Sequence, residues 1–240
     1  MNRETIKYIS IIAMLLNHIA IIFLEPGTWL RMVFLNVGYF TAITMCYFLV
    51  EGYEYTHSKS QYAIRLLAFA FLSEIPFCMA FSKESYIEFH GLNMLFTLFL
   101  CFLICLIIEK LENKVIKVVL IILILICSMN CDWGIGAPVF TLLFIWSKKS
   151  KEKTKIAFLM PTLLFGVYNF VARYGNAPLG TCISSAVGSM IGMGLAGVCI
   201  IYFYNGKRAQ KGRKFSKWFF YIFYPAHLMV LALIRICGGM

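Results

Sequence analysis

Residues 1–24 read MNRETIKYISIIAMLLNHIAIIFL. After its polar opening the stretch stays apolar long enough to cross a bilayer as a helix, which takes about 20 residues. It starts with Arg3 and Lys7 and is followed by no small-residue cleavage site, so it predicts a retained first helix rather than a signal peptide. Lys7, Ser10, Met14, Asn17 and His18 stand at offsets of 0, 3, 7, 10 and 11 from Lys7. On a helix they fill one arc of about 100°. A helix bathed in lipid cannot carry such a stripe, so the stripe must face the protein interior. His18 lies about 16 Å along the axis from Lys7, past mid-membrane.

The rest of the chain repeats this pattern. Apolar runs fall at about 6–24, 32–54, 63–81, 92–108, 115–131, 133–146, 156–173, 183–204 and 217–236. Nine helices of about 20 residues would use about 180 residues and leave short loops. The composition agrees: 61% apolar and 14% charged, with mean hydropathy +0.80, against about half and about a quarter in a soluble domain. This excludes a soluble enzyme, a disordered tail and any sizeable extramembrane domain. The expectation is an all-α, polytopic integral membrane helix bundle of about nine transmembrane helices, forming one domain over 1–240.

The net charge of +11 could suggest nucleic acid, but in so apolar a chain it belongs to basic loops. The charge alternates from loop to loop. Arg3 and Lys7, Lys59 and Arg65, and the stretches 110–117, 148–155 and 207–217 together hold 18 Lys and Arg. The intervening segments hold four: Arg31, Lys83, Arg173 and Arg235. Basic loops stay cytoplasmic, which predicts the N-terminus inside and, after nine crossings, the C-terminus outside. Run 133–146 is short enough to be re-entrant, but treating it as a span keeps the alternation intact. In the eighth run Ser184, Gly188, Gly192 and Ala196 recur every four residues, a pattern for close helix packing.

Ionisable residues inside such runs are costly and therefore candidates for function. His18 can exchange a proton near pH 7, although a buried histidine bonded to a carbonyl is as good a reading of it alone. His227 lies near mid-span in KWFFYIFYPAHL, two residues after Pro225, which cannot donate to the Tyr221 carbonyl and predicts a kink. Asp132, the one aspartate in the chain, sits in the turn CDWGIG, expected on the outer side. There it could orient a histidine, accept an amine or cap the next helix. Glu74 in LSEIPF is too deep for a purely solvated carboxylate, whereas Glu51 in VEGYEYTH could snorkel to water. Asn93 and Thr97 are expected as i,i+4 partners on the fourth helix.

The nine cysteines form no CxxC and read as small buried hydrophobes. No phosphate-cradling loop, nucleophile elbow or HExxH zinc site occurs, and no metal is expected.

IKYISIIAMLLNHIAIIF (6–23), YFLVEGYEYTHSKSQYAIRLLAFAFLSEIPF (47–77), LNMLFTL (92–98), CDWGIG (131–136) and FFYIFYPAHL (219–228) occur in order. In this succession the chain resembles the TraX family of bacterial membrane acetyltransferases, with a weaker match between about 150 and 215. That family is in turn similar to the multi-span acyltransferases that pair a first-helix histidine with cytosolic acyl-CoA. The resemblance points to His18, Glu51, Arg65, Glu74, Asn93, Asp132, Tyr224 and His227. It departs where Asn17-His18 replaces the family's Asp-His pair, since an amide can orient the ring but cannot stabilise an imidazolium as a carboxylate does. A milder departure is Asp-Trp-Gly at 132–134, where the family commonly has Asp-Tyr-Gly.

The resemblance implies a multi-pass protein of the bacterial cytoplasmic (inner) membrane. It would move an acyl group, acetyl in the simplest case, from cytosolic acetyl-CoA to an amine or hydroxyl of an envelope acceptor: a peptide, sugar or lipid headgroup. The catalytic candidates are His18 as base with Asn17, Asp132 and His227. Lys7, Lys59 and Arg65 stand where coenzyme A phosphates would need positive charge. Glu51, Glu74, Asn93 and Tyr224 are the candidates for the acceptor side. Two other classes remain: a proton-coupled small-molecule transporter, which buried His, Glu and Asp with kinking prolines also describe, and a membrane scaffold. A scaffold would leave the buried polar residues unexplained.

Overall fold

In a computed structural model, residues 1–82, 87–148 and 150–238 are described. Lys83 and Lys149 of the charge pattern lie outside them. Among the described residues nine α-helices follow in order: α1 (Arg3–Phe23), α2 (Trp29–Tyr55), α3 (Lys59–Phe81), α4 (Met94–Lys110), α5 (Lys114–Ser128), α6 (Gly136–Ser147), α7 (Lys151–Val171), α8 (Leu179–Val198) and α9 (Arg213–Cys237). Each coincides with one apolar run. A π-helical segment, Cys199–Phe203, prolongs α8.

Side chains at the helix starts accept the backbone N–H groups that have no partner within the helix. Asn2 caps α1 through Thr5, Ser58 caps α3 through Gln61, Asn113 caps α5 through Val115 and Ile116, and Ser150 caps α7 through Lys153.

Six of these elements are long and apolar enough to cross a membrane: α1, α2, α3, α7, α8 with its π-helical extension, and α9. The chain is therefore an all-helical, multi-pass membrane protein. The other three are shorter, with 17 residues in α4, 15 in α5 and 12 in α6. Length and composition thus support six spans directly, not the nine expected from the runs.

The described chain packs as two compact units. One comprises Met1–Met45 and Ser147–Arg213; the other comprises Cys46–Trp146 and Lys214–Met240. In the first, α7 lies along α8, and the four-residue spacing on α8 does serve packing. A Cβ on Gly188 would collide with the Asn36 side chain, and one on Gly192 with the Asn36 carbonyl oxygen of α2. Only glycine permits that approach. In the second unit α3 packs on α4 and α4 on α5, and Phe102 of α4 is fully buried between the rings of Tyr53 and Tyr62 at 5.1 and 5.0 Å. α9 joins α3 through Tyr221 stacked on Phe69 at 5.1 Å. Arg235, expected as an outer loop charge, is instead buried, and its guanidinium donates to the Met79 carbonyl at 3.2 Å.

Candidate functional site

The polar stripe of α1 turns inward, as its arc requires. Ser10 and His18 are buried, while Ile9 and Ile12 on the other side are exposed. The stripe is held against the first half of α2 by two bonds: Thr41 Oγ1 donates to the Ser10 carbonyl at 2.8 Å, and Asn17 Nδ2 donates to the Leu35 carbonyl at 3.3 Å. Gly38 makes room for the Asn17 amide, which any Cβ there would strike. Asn17 is thus committed by one N–H to fixing the helix pair, and it sets the turn that carries His18. Lys7, Asn17 and His18 all belong to the first unit.

The remaining candidates belong to the second unit, where four come together. Glu74 Oε2, on α3, accepts from Asn93 at both the backbone N (3.2 Å) and Nδ2 (2.6 Å). Asn93 Nδ2 also donates to the Ala70 carbonyl at 2.8 Å, and its Oδ1 accepts from Leu95 N at 3.0 Å. The i,i+4 expectation for Asn93 is corrected here, because Asn93 is the N-cap just ahead of α4 rather than a residue within it. The next N–H, of Met94, donates to Tyr224 Oη of α9 at 3.2 Å, which leaves the phenolic proton available for a further bond. Thr97 Oγ1 donates to the Asp132 carbonyl at 2.5 Å. The Asp132 backbone N–H in turn donates to the Leu92 carbonyl at 2.7 Å, and Leu92 N–H to the Asn130 carbonyl at 2.8 Å.

Asp132 is therefore not a free outer-loop residue. It is half-buried, its carboxyl takes the backbone N–H of Trp133, and it lies close enough to Tyr224 to act on it electrostatically. Nor does it cap α6, which begins four residues later at Gly136. His227 is buried one turn beyond Tyr224, with ring centroids 5.6 Å apart, and its Nδ1 lies 2.8 Å from the Phe223 carbonyl.

At the Lys59 end of α3 the candidates separate. Lys59 is ion-paired with Glu109 of α4, whose carboxylate also accepts from Tyr53 Oη. The ammonium further lies 4.4 Å from the Tyr53 ring centroid. Lys59 is thus already engaged, and sequence reading missed both Glu109 and Tyr53. The one signal was an acid, in LIIEK, closing an otherwise apolar run. Arg65 stands over the Tyr62 ring at 5.8 Å, and its Nε is enclosed with no hydrogen-bond partner among the described residues. Glu51 is half-buried, with Oε2 shut off from solvent. Among the described residues no group of three or more His, Cys, Asp and Glu side chains could hold a metal ion.

Residues 2–235 match the family model described as "TraX protein". The chain is similar to the "Probable fimbrial assembly protein FimC, serogroup H1" of Dichelobacter nodosus, with 31% identity over 233 residues, 94% of this chain and 92% of the relative. No solved structure matches.

Proposed function

The chain belongs to the TraX family, and from that premise we propose that it is a membrane-embedded acyltransferase. It takes an acyl group, acetyl in the simplest case, from cytosolic acetyl-CoA and passes it to an amine or hydroxyl of an envelope acceptor. The relative's name, a fimbrial assembly protein, makes a fimbrial subunit the first acceptor to try.

The observation that carries this reading is Arg65. An enclosed guanidinium N–H without an acceptor is costly, and a phosphate group satisfies it with a charge-assisted bond. With Lys59 held by Glu109, Arg65 is the cation of the second unit best placed to receive coenzyme A. In the transfer, the acceptor nitrogen or oxygen attacks the thioester carbonyl as a base removes its proton. The tetrahedral intermediate collapses with cleavage of the C–S bond, and the departing thiolate is reprotonated by the same base. Two sets of side chains offer that base: His18 beside Asn17 in the first unit, and His227 beside Tyr224 in the second. The family resemblance favours His18.

Nine crossings with the N-terminus inside belong to the same proposal, and hydrogen bonds of the first unit support the count. The Met1 amino group donates to the Phe203 carbonyl at 2.5 Å, Asn205 N to Met1 O at 3.0 Å and Arg3 N to Lys207 O at 2.9 Å. The end of α8 therefore shares a membrane face with the start of α1, which requires an even number of crossings between them. α1, α2, α3, α7 and α8 supply five. The hairpin of α4 and α5 returns to its own start, where Leu92 bridges Cys131, and so contributes an even number. The sixth long crossing, α9, comes later, and this parity supports α6 as a further crossing despite its 12 residues.

The test is coenzyme A binding to the purified protein, paired with mass spectrometry of envelope peptides, glycans and lipids with and without the gene. Micromolar-range binding that is weakened at least about tenfold in a folded Arg65→Ala variant, with an acyl group lost from one envelope component, supports the enzyme. A protein that binds no coenzyme A is not an acyl-CoA-dependent transferase, and the carrier reading then leads.

A further inference from the structure

The three short helices, α4, α5 and α6, share one terminus level, and hydrogen bonds fix how deep it lies. Asn93, which starts α4, bonds to Glu74 and to the Ala70 carbonyl of α3. α3 continues to Phe81. Glu74 is thus about 10 Å, and Ala70 about 16 Å, below its C-terminal end at about 1.5 Å per residue. α9 gives an independent reading. Arg235 ties its end to Met79 near the end of α3, while Tyr224, bonded to Met94 N, is about 16 Å further down the helix from Arg235. The turn 129–135 sits at the same depth, because Leu92 bridges Cys131 and Thr97 donates to the Asp132 carbonyl.

Two full-length helices therefore rise past a floor made of non-helical chain. Irregular backbone at membrane depth is tolerated only where protein covers it or water reaches it. Protein does not cover all of this floor. Met129 and Ile135 are exposed, and so is Asn130, whose amide lipid would not accept. The described residues leading down to the floor include Glu88 and His90, paired at 3.6 Å. Gly91, at φ +86°, is placed where a Cβ would press on the Asn130 carbonyl at 2.7 Å.

We infer that the turn 129–135 is the floor of a water-filled vestibule, sunk about 10 Å into the membrane from the face reached by the C-terminal ends of α3 and α9. It admits the polar end of an acceptor to Asp132 and Tyr224. The vestibule deepens the proposed function by giving the acceptor its side of entry. It rests on the bonded depths within the second unit, not on acyl transfer.

The experiment is spin labelling in liposomes of a chain whose exposed native cysteines, Cys127 and Cys237, are replaced by serine. One label goes on Asn130→Cys and a reference label on Ile126→Cys, an exposed residue of α5. Power saturation with oxygen and with a water-soluble nickel chelate reads depth and water access together. The Asn130→Cys label should lie about 10 Å below the lipid phosphates yet collide with nickel at several times the rate of the Ile126→Cys label. A label at headgroup level overturns the proposal, and so does a deep label that nickel does not reach. Should Asn130→Cys fail to fold, Ile135→Cys on the same turn is decided by the same two outcomes. Neither readout uses turnover, so nickel access in a protein that transfers no acyl group keeps the vestibule and sinks the transferase.

Discussion

Asn93 shows how much one side chain settles in the second unit. It caps α4, donates to α3 and meets the Glu74 carboxylate at 2.6 Å. Asn93→Asp keeps the capping oxygen but puts a second carboxylate against the first, where one must be protonated or expelled. It should cost about 1–3 kcal/mol in detergent-unfolding experiments, and Glu74→Gln added to it should restore most of that loss. A double variant no more stable than Asn93→Asp would show that repulsion is not the cause. His18 poses a chemical question instead. A general base contributes ~10²–10⁴-fold to rate, so His18→Gln, which cannot take a proton at pH 7, should lower transfer by that factor and leave coenzyme A affinity unchanged. Near-normal turnover in His18→Gln would make His18 structural and His227 the leading base. Both residues were legible in the sequence as polar groups in apolar runs. Their partners were not: a bond such as Asn93 to Glu74 joins positions 19 apart in the chain, and no periodicity encodes which helix lies alongside.

Among the elements, α8 carries the sharpest prediction. Gly192 faces a carbonyl oxygen of α2, whereas Gly180 near the start of the same helix has open space around its missing side chain. Gly192→Ala should therefore destabilise the protein by about 1–3 kcal/mol, and Gly180→Ala should leave thermal stability in detergent nearly unchanged. Equal melting temperatures for the two variants would mean that α2 can retreat from α8. The small-residue spacing was visible in the sequence because every fourth residue of a helix shares a face. That α2 is the partner, and that Asn36 is the point of contact, was not visible. The same division holds for α6, whose 12 residues look re-entrant when taken alone. They become a proposed crossing because the charge alternation and the bond of the N-terminus to the end of α8 both call for one.

For the whole molecule, the charge pattern and the bonded N-terminus make one joint prediction. Reporters fused at Ser150 and at Gly206 should both read cytoplasmic, and one at the C-terminus should read the opposite side. An external signal at Gly206 would contradict the pairing of residues 203–207 with the N-terminus, and one at Ser150 would remove α6 as a crossing. The sequence by itself determined that the chain is an all-helical membrane protein, where its helices fall among the described residues, and which polar residues lipid would reject. Each of these follows from local quantities: apolar run length, the 3.6-residue period and the cost of burying charge. Only the tertiary structure decided that Asp132 lies beneath the ends of α3 and α9 rather than in a surface loop. It alone showed that Lys59 is taken by Glu109 while Arg65 Nε has no partner among the described residues, and that the candidate residues divide between two packed units. The reason is physical: depth, pairing and exposure are set by contacts between segments far apart in the chain, and a sequence states its spacing only along itself.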